Sequence, residues 1–153
     1  MERRMDKTNQ DAGPDDALRE RAGILDSILN GLSLLITYID QEERYAFVNR
    51  AYARWYDIRP EALIGKKVSE ILKPDVYERV SVNIKKALGG QRVVYENQVT
   101  DREGRDRTLR VYYEPHFEGA EVKGFFSSIL DVTEGQRAEA ALQESEQRFR
   151  ILT

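Results

Sequence analysis

Few side chains in this sequence are equipped for bond-making chemistry. His116 is the sole histidine of 153 residues, and there is no cysteine. A Ser-His-Asp triad would have to recruit His116, yet no G-x-S-x-G turn occurs. His116 follows Pro115 in a strand-like run, not on a helix beside an acidic residue as a phosphoacceptor would. Gly89-Gly90 lacks the G-K-[ST] sequel of a phosphate-cradling loop. The absence of cysteine removes disulfides, thiolate nucleophiles, zinc knuckles and flavin–cysteinyl adducts. Scattered Asp and Glu with one His do not make a metal site. Tyr113 and Glu114 would give a small α+β enzyme a Tyr–carboxyl pair, but neighbours in a strand point to opposite faces. The sequence therefore reads as a non-enzyme, with apolar and aromatic side chains better suited to binding.

Apolar residues make up 41% of the chain and charged residues 33%, enough for one modest core with much solvated surface. The net charge of −3 comes without a basic block, which argues against nucleic acid as a partner. No apolar run approaches the ~20 residues of a membrane span, and a cytoplasmic location is expected. Residues 1–14 lack periodicity and are expected to be disordered. Asp15, after Pro14, is the expected cap of an amphipathic helix over 15–33. Leu18, Ala22, Leu25, Leu29 and Leu32 follow four-three spacing along it, as in a coiled-coil seam. An ordinary helix packed on its own domain would show the same spacing.

The span 34–133 then alternates in a different way. Leu34 to Val48 reads as a hairpin. Asn49 is placed to cap "RAYARWY". Pro60 and Pro74 open two further helices, and Gly89 and Gly90 close the second. Val80, Ile84 and Leu88 share one face of that helix. Three strand signals follow: "RVVYENQVT", "RTLRVYYEPHF" and "VKGFFSSILDV". The order predicts an α+β fold with an antiparallel sheet. The last strand is apolar on both faces, so both need covers: the short helices on one, the N-terminal helix or a partner subunit on the other. Thr133 and Gln136 then have the spacing of a capping box. Ala138, Leu142, Ser145, Phe149 and Leu152 repeat the four-three spacing along a final helix over 134–153.

The stretch "YAFVNRAYARWYDIRPEALIGKKVSEIL" and the closing "GFFSSILDVTE" resemble a PAS domain, in the bacterial subgroup whose first helix reads N-x-A-Y/F-x-x-W-Y/F. The resemblance covers Leu25 to Glu134 and is strongest at "LDVTE". Asp57-Ile58 departs from the Gly-Tyr common after that helix, which places the turn there in question. The ending "ALQESEQRFRIL" resembles the start of a second PAS unit. The resemblance implies a five-stranded antiparallel sheet with short helices over one face and a pocket between them.

By alternation, Leu109, Val111 and Tyr113 face that pocket from one strand and Phe125, Ser127 and Ile129 from the next. Asn97, between Tyr95 and Val99, joins them, with Tyr52, Trp55, Val80 and Ile84 from the helices. This lining suits a small apolar or aromatic ligand, although a plain packed core would use the same residues. Haem in relatives takes a histidine from the long helix, which here has none, so haem is disfavoured. Non-covalent flavin is disfavoured as well. Homodimerisation is expected through Leu18, Leu25 and Leu29, together with Tyr112, Phe126 and Leu130 on the outer sheet face. Asp131, Thr133 and Gln136 form the expected junction to an output helix. That helix would serve an effector such as a histidine kinase or diguanylate cyclase in the same polypeptide. A ligand-free dimerisation module is the alternative.

Overall fold

The computed structural model describes residues 13–31 and 33–152. The predicted disorder of residues 1–12 and the seam position Leu32 lie outside the described residues, as do the last residue and the side chain of Leu152. An N-terminal helix α1 (Pro14–Gly31) leads into strands β1 (Leu35–Asp40) and β2 (Tyr45–Val48). Four helices follow: α2 (Arg50–Tyr56), α3 (Pro60–Leu63), α4 (Val68–Ile71) and α5 (Pro74–Leu88). Strands β3 (Val93–Thr100), β4 (Asp106–Glu118) and β5 (Glu121–Asp131) lead to the closing helix α6 (Thr133–Leu152). The sheet order is β2-β1-β5-β4-β3, with every pairing antiparallel. The chain is thus α+β, as the sequence pattern predicts.

Period-two alternation builds the sheet. On β5, Phe125 and Ser127 are buried and Ile129 is half-buried, while Phe126 and Leu130 stay 46% and 40% exposed on the opposite face. On β4, Leu109, Val111 and Tyr113 are buried and Tyr112 is exposed. Helix α5 adds Val80, Ile84 and Ala87 to the same core. Burying a large apolar side chain contributes roughly 1.5–3 kcal/mol, so this inner face supplies most of the drive for folding. Pro60 and Pro74 each occupy a helix start, as expected. The turn after α2 keeps its geometry without glycine: Asp57 takes the left-handed conformation at φ 53° and closes the helix with its backbone N–H. Aspartate tolerates that region better than most residues.

Two local readings change. Helix α1 begins at Pro14, with the Gly13 carbonyl accepting from the Asp16 and Ala17 N–H groups, so Asp15 sits inside the first turn. Proline suits that first position because its missing N–H would be unsatisfied there. Helix α1 also does not cover the outer sheet face. It packs on α2, because Asn30 Oδ1 accepts from Arg50 N–H at 3.0 Å and Leu29 is tied to Asn49.

Asn49 is 1% exposed and fully bonded. Its Oδ1 accepts from the N–H groups of Tyr52, one turn into α2, and Ile36 on β1, both at 3.1 Å. Its Nδ2 donates to the carbonyls of Leu29 at 2.9 Å and Leu34 at 2.7 Å. One amide thus joins the end of α1, the start of β1 and the start of α2. Asn49→Ala would strip buried backbone groups of partners, each costing about 1–3 kcal/mol. We expect urea denaturation to show a loss of about 2–4 kcal/mol. A loss within the range of an exposed cap would contradict this assignment.

Candidate functional site: an inner-face cavity and a helix junction

Helices α2, α4 and α5 arch over the inner face and leave a cavity of about 60 Å³. All eleven residues that the sequence places in the pocket line it: Tyr52, Trp55, Val80, Ile84, Asn97, Leu109, Val111, Tyr113, Phe125, Ser127 and Ile129. Trp55 and Asn97 are half-buried at its margin. The lining also includes Tyr45, Tyr56 and Tyr95, together with Thr37, Leu72 and Val76. No charged side chain contributes. An apolar cavity of ~150 Å³ takes a benzene ring, and drug-sized sites run to roughly 300–1,000 Å³. This cavity is therefore small, and its lining rings must move to admit anything as large as a flavin or a haem. His116 stands on the other face of the sheet, its Nδ1 2.8 Å from the Tyr38 hydroxyl and its ring against Phe126. It does not fit the role of axial ligand in this cavity. Among the described residues, no group of three His, Cys, Asp or Glu could hold a metal ion.

Five tyrosines give the cavity its polar wall. The Tyr45 and Tyr52 hydroxyls are 2.6 Å apart, and those of Tyr95 and Tyr113 are 2.7 Å apart. Tyr56 stacks at a tilt on Tyr52, and its hydroxyl lies within the reach of Tyr52's. Burial pushes all five phenols up, Tyr56 and Tyr95 to about 12, and Tyr45, Tyr52 and Tyr113 well above the ordinary value. Desolvation is the dominant cause, because a phenolate in an apolar wall loses its water. Every one is neutral near neutral pH. The sequence reading omitted Tyr45, Tyr56 and Tyr95. The i,i+4 spacing of Tyr52 and Tyr56 and the alternation Tyr95-Asn97-Val99 carried the signal for two of them.

The junction lies two residues beyond the lining. Thr133 is 5% exposed. Its Oγ1 accepts from Thr108 N–H on β4 at 2.7 Å and donates to Asp131 Oδ1 at 2.6 Å. Asp131 Oδ1 also accepts from Thr133 N–H at 2.9 Å. Asp131 Oδ2 meets Arg107 at 3.5 Å, and Arg107 Nε donates to Asp101 Oδ2 at 3.1 Å. Burial tends to raise the Asp101 carboxyl, but the Arg105 N–H and the Arg107 guanidinium outweigh it and hold the group at about 2. Next to Asp101, Arg102 reaches Asp57 at the end of α2, at 3.4 Å. The expected Thr133–Gln136 box is absent. Gln136 N–H donates to the Val132 carbonyl, and its side-chain amide donates to Glu96 on β3. Thr108 and Asp131 occupy the threonine hydroxyl first. From Arg137 to Ile151 helix α6 is exposed throughout.

A five-stranded antiparallel sheet with short helices closing a cavity over one face defines a PAS fold. The family described as PAS fold matches residues 29–137, and the chain belongs to it. Such domains are sensory modules of signal-transduction proteins. The chain is similar to the PAS domain of BvgS from Bordetella pertussis, at 21% identity and TM-score 0.63, covering 85% of this chain and 98% of that one. It is also similar to a PAS domain from Colwellia psychrerythraea, at 18% identity and TM-score 0.61, covering 78% and 99%. VqmA of Vibrio cholerae, described as a dimer with a target DNA, matches at 15% identity and TM-score 0.64. That match covers 76% of this chain and 52% of VqmA, so the chain spans about half of VqmA's length. No curated protein sequence matches. Among the described residues, no helix is long and apolar enough to cross a membrane.

The tyrosine wall makes a pH prediction. The folded phenols bind protons more tightly than the unfolded ones, whose ordinary value is 10. Their contribution to stability is intact below about pH 10 and is lost as pH rises through about 12. Alkaline titration followed by phenolate absorbance should find the five cavity tyrosines silent until about pH 12 or until unfolding. Ionisation of all eight tyrosines near pH 10 in the folded chain would contradict the buried wall.

Proposed function

We propose that this chain is a sensory module of a larger bacterial signal-transduction protein. In this reading a small molecule enters the inner-face cavity, and α6 carries the resulting change to a module beyond it. The effector is of the histidine kinase or diguanylate cyclase type, and a second PAS unit beginning near "ESEQRFRIL" fits the same arrangement. One observation carries the reading. Ser127 and Ile129 line the cavity, and Asp131, next on the same alternating face of β5, holds the first residue of α6. A strand shift at the cavity has no slack loop in which to dissipate before the helix.

The same reading makes the protein a cytoplasmic homodimer. Support comes from Leu18 and Leu25, 62% and 59% exposed on α1. Ile24 and Ile28 beside them are also exposed, and so are Tyr112, Phe126 and Leu130 on the outer sheet face. Exposed apolar surface of this kind, on α1 and separately on the outer sheet face, is what an association surface requires. Leu29 is half-buried against its own domain and contributes less. The proposed role involves no direct nucleic-acid contact by this domain, whose net charge is −3. The DNA binding described for VqmA is a property of that protein. The small cavity favours one second reading, a dimerisation module that works without ligand.

Native mass spectrometry separates these readings. The sensor reading expects a dimer carrying an extra small mass that mild denaturation releases. Leu25→Glu should convert the dimer to monomer, because it sets charges into an apolar seam. A dimer with no added mass from any expression host would favour the ligand-free module. A monomer at micromolar concentration would contradict the dimer.

A further inference from the structure

The hydrogen count of the tyrosine wall points to what the cavity takes, given the proposed reading of it as a ligand site. Five phenols bring five O–H protons. The Tyr45–Tyr52 and Tyr95–Tyr113 bonds use one each, and the looser Tyr52–Tyr56 approach a third. Two protons therefore remain without a phenolic acceptor. Tyr56 and Tyr95 both line the cavity. Tyr56 and Tyr95 are the half-buried ends of their chains. Buried O–H groups seek acceptors, because an unspent donor in an apolar wall costs free energy.

The lining carries no lysine, arginine or histidine. An anion there would lose its water and find no cation, the costliest kind of burial. A cation would find no carboxylate either. We propose that the cavity selects a compact neutral molecule, smaller than a benzene ring, bearing a carbonyl-type acceptor that takes the spare protons of the two tyrosine chains. Tyr56 and Tyr95 are the specificity-determining residues. Burial keeps both phenols protonated across the physiological range, so the donors are always available.

Three probes test this on the intact chain by NMR titration: butanone, propionate and xenon. Butanone should bind at least roughly tenfold more tightly than propionate of similar size. In the Tyr56→Phe/Tyr95→Phe variant, butanone should weaken by roughly tenfold while xenon binding persists. Propionate binding as tightly as butanone would overturn the proposal, as would butanone binding that ignores the loss of both hydroxyls. In either case xenon uptake would leave the cavity reading standing. Absence of xenon uptake would overturn the cavity reading itself, and this proposal with it.

Discussion

Asn49 sets the geometry on which the inner face depends. Its amide spends both donors and its oxygen accepts twice, on partners from three separate segments. A helix start is otherwise free to swing, since its first N–H groups have no partners inside the helix. Here α2 is tied to β1, so Tyr52 and Trp55 are held over the sheet at a fixed height. That height leaves a gap between α2 and the β4–β5 pair, and the gap is the cavity. Asn30 extends the same fixation by one bond to Arg50, which ties the last turn of α1 to the start of α2.

The cavity wall and the junction are built from different interactions. Inside, five uncharged phenols, the hydroxyls of Thr37 and Ser127, the Asn97 amide and apolar side chains make a surface whose polarity is uncharged. At the rim, charge takes over: Asp57, Arg102, Asp101, Arg107 and Asp131 form a chain of contacts from the end of α2 to the start of α6. The exposed links are individually weak, as surface pairs are. The Arg107–Asp101 pair is better enclosed and is supported by backbone N–H groups. Helix α6 is therefore joined to the elements that line the cavity along two paths, through β5 directly and through α2 by way of the β3–β4 turn, and the proposed role uses both. A two-state output needs such differential contacts at the switch point.

Much of this was legible in the sequence because strands alternate strictly. Once "GFFSSILD" was read as a strand, Phe125, Ser127 and Ile129 had to share a face, and the opposite face had to carry Phe126 and Leu130. Asn49 was legible as a cap, but its reach to Leu29 and Leu34 was not, since those contacts depend on tertiary placement. Tyr45 escaped notice because it opens a short edge strand with little periodicity of its own. Helix α4 was missed because four residues carry too little pattern to register. The Thr133–Gln136 box had the right spacing and the wrong partner. Local capping rules do not count a neighbouring strand, and Thr108 N–H on β4 claims the hydroxyl. Sequence spacing also gave no hint that the cavity would be so small, which follows from how closely the tyrosine rings pack.

The central claim is that occupancy of the cavity and anchoring of α6 are mechanically linked through β5. Amide hydrogen exchange at Thr108 and Thr133 tests this most directly in the Ser127→Val variant, whose branched side chain takes up part of the small cavity from β5 itself. Both amides belong to the network that holds the first turn of α6. The account predicts that their protection changes by roughly tenfold or more, the signature of a shifted local opening equilibrium. The Ile36 and Tyr52 amides held by Asn49 should keep theirs. Unchanged protection at Thr108 and Thr133 in a folded variant would contradict the account and leave α6 as a tether.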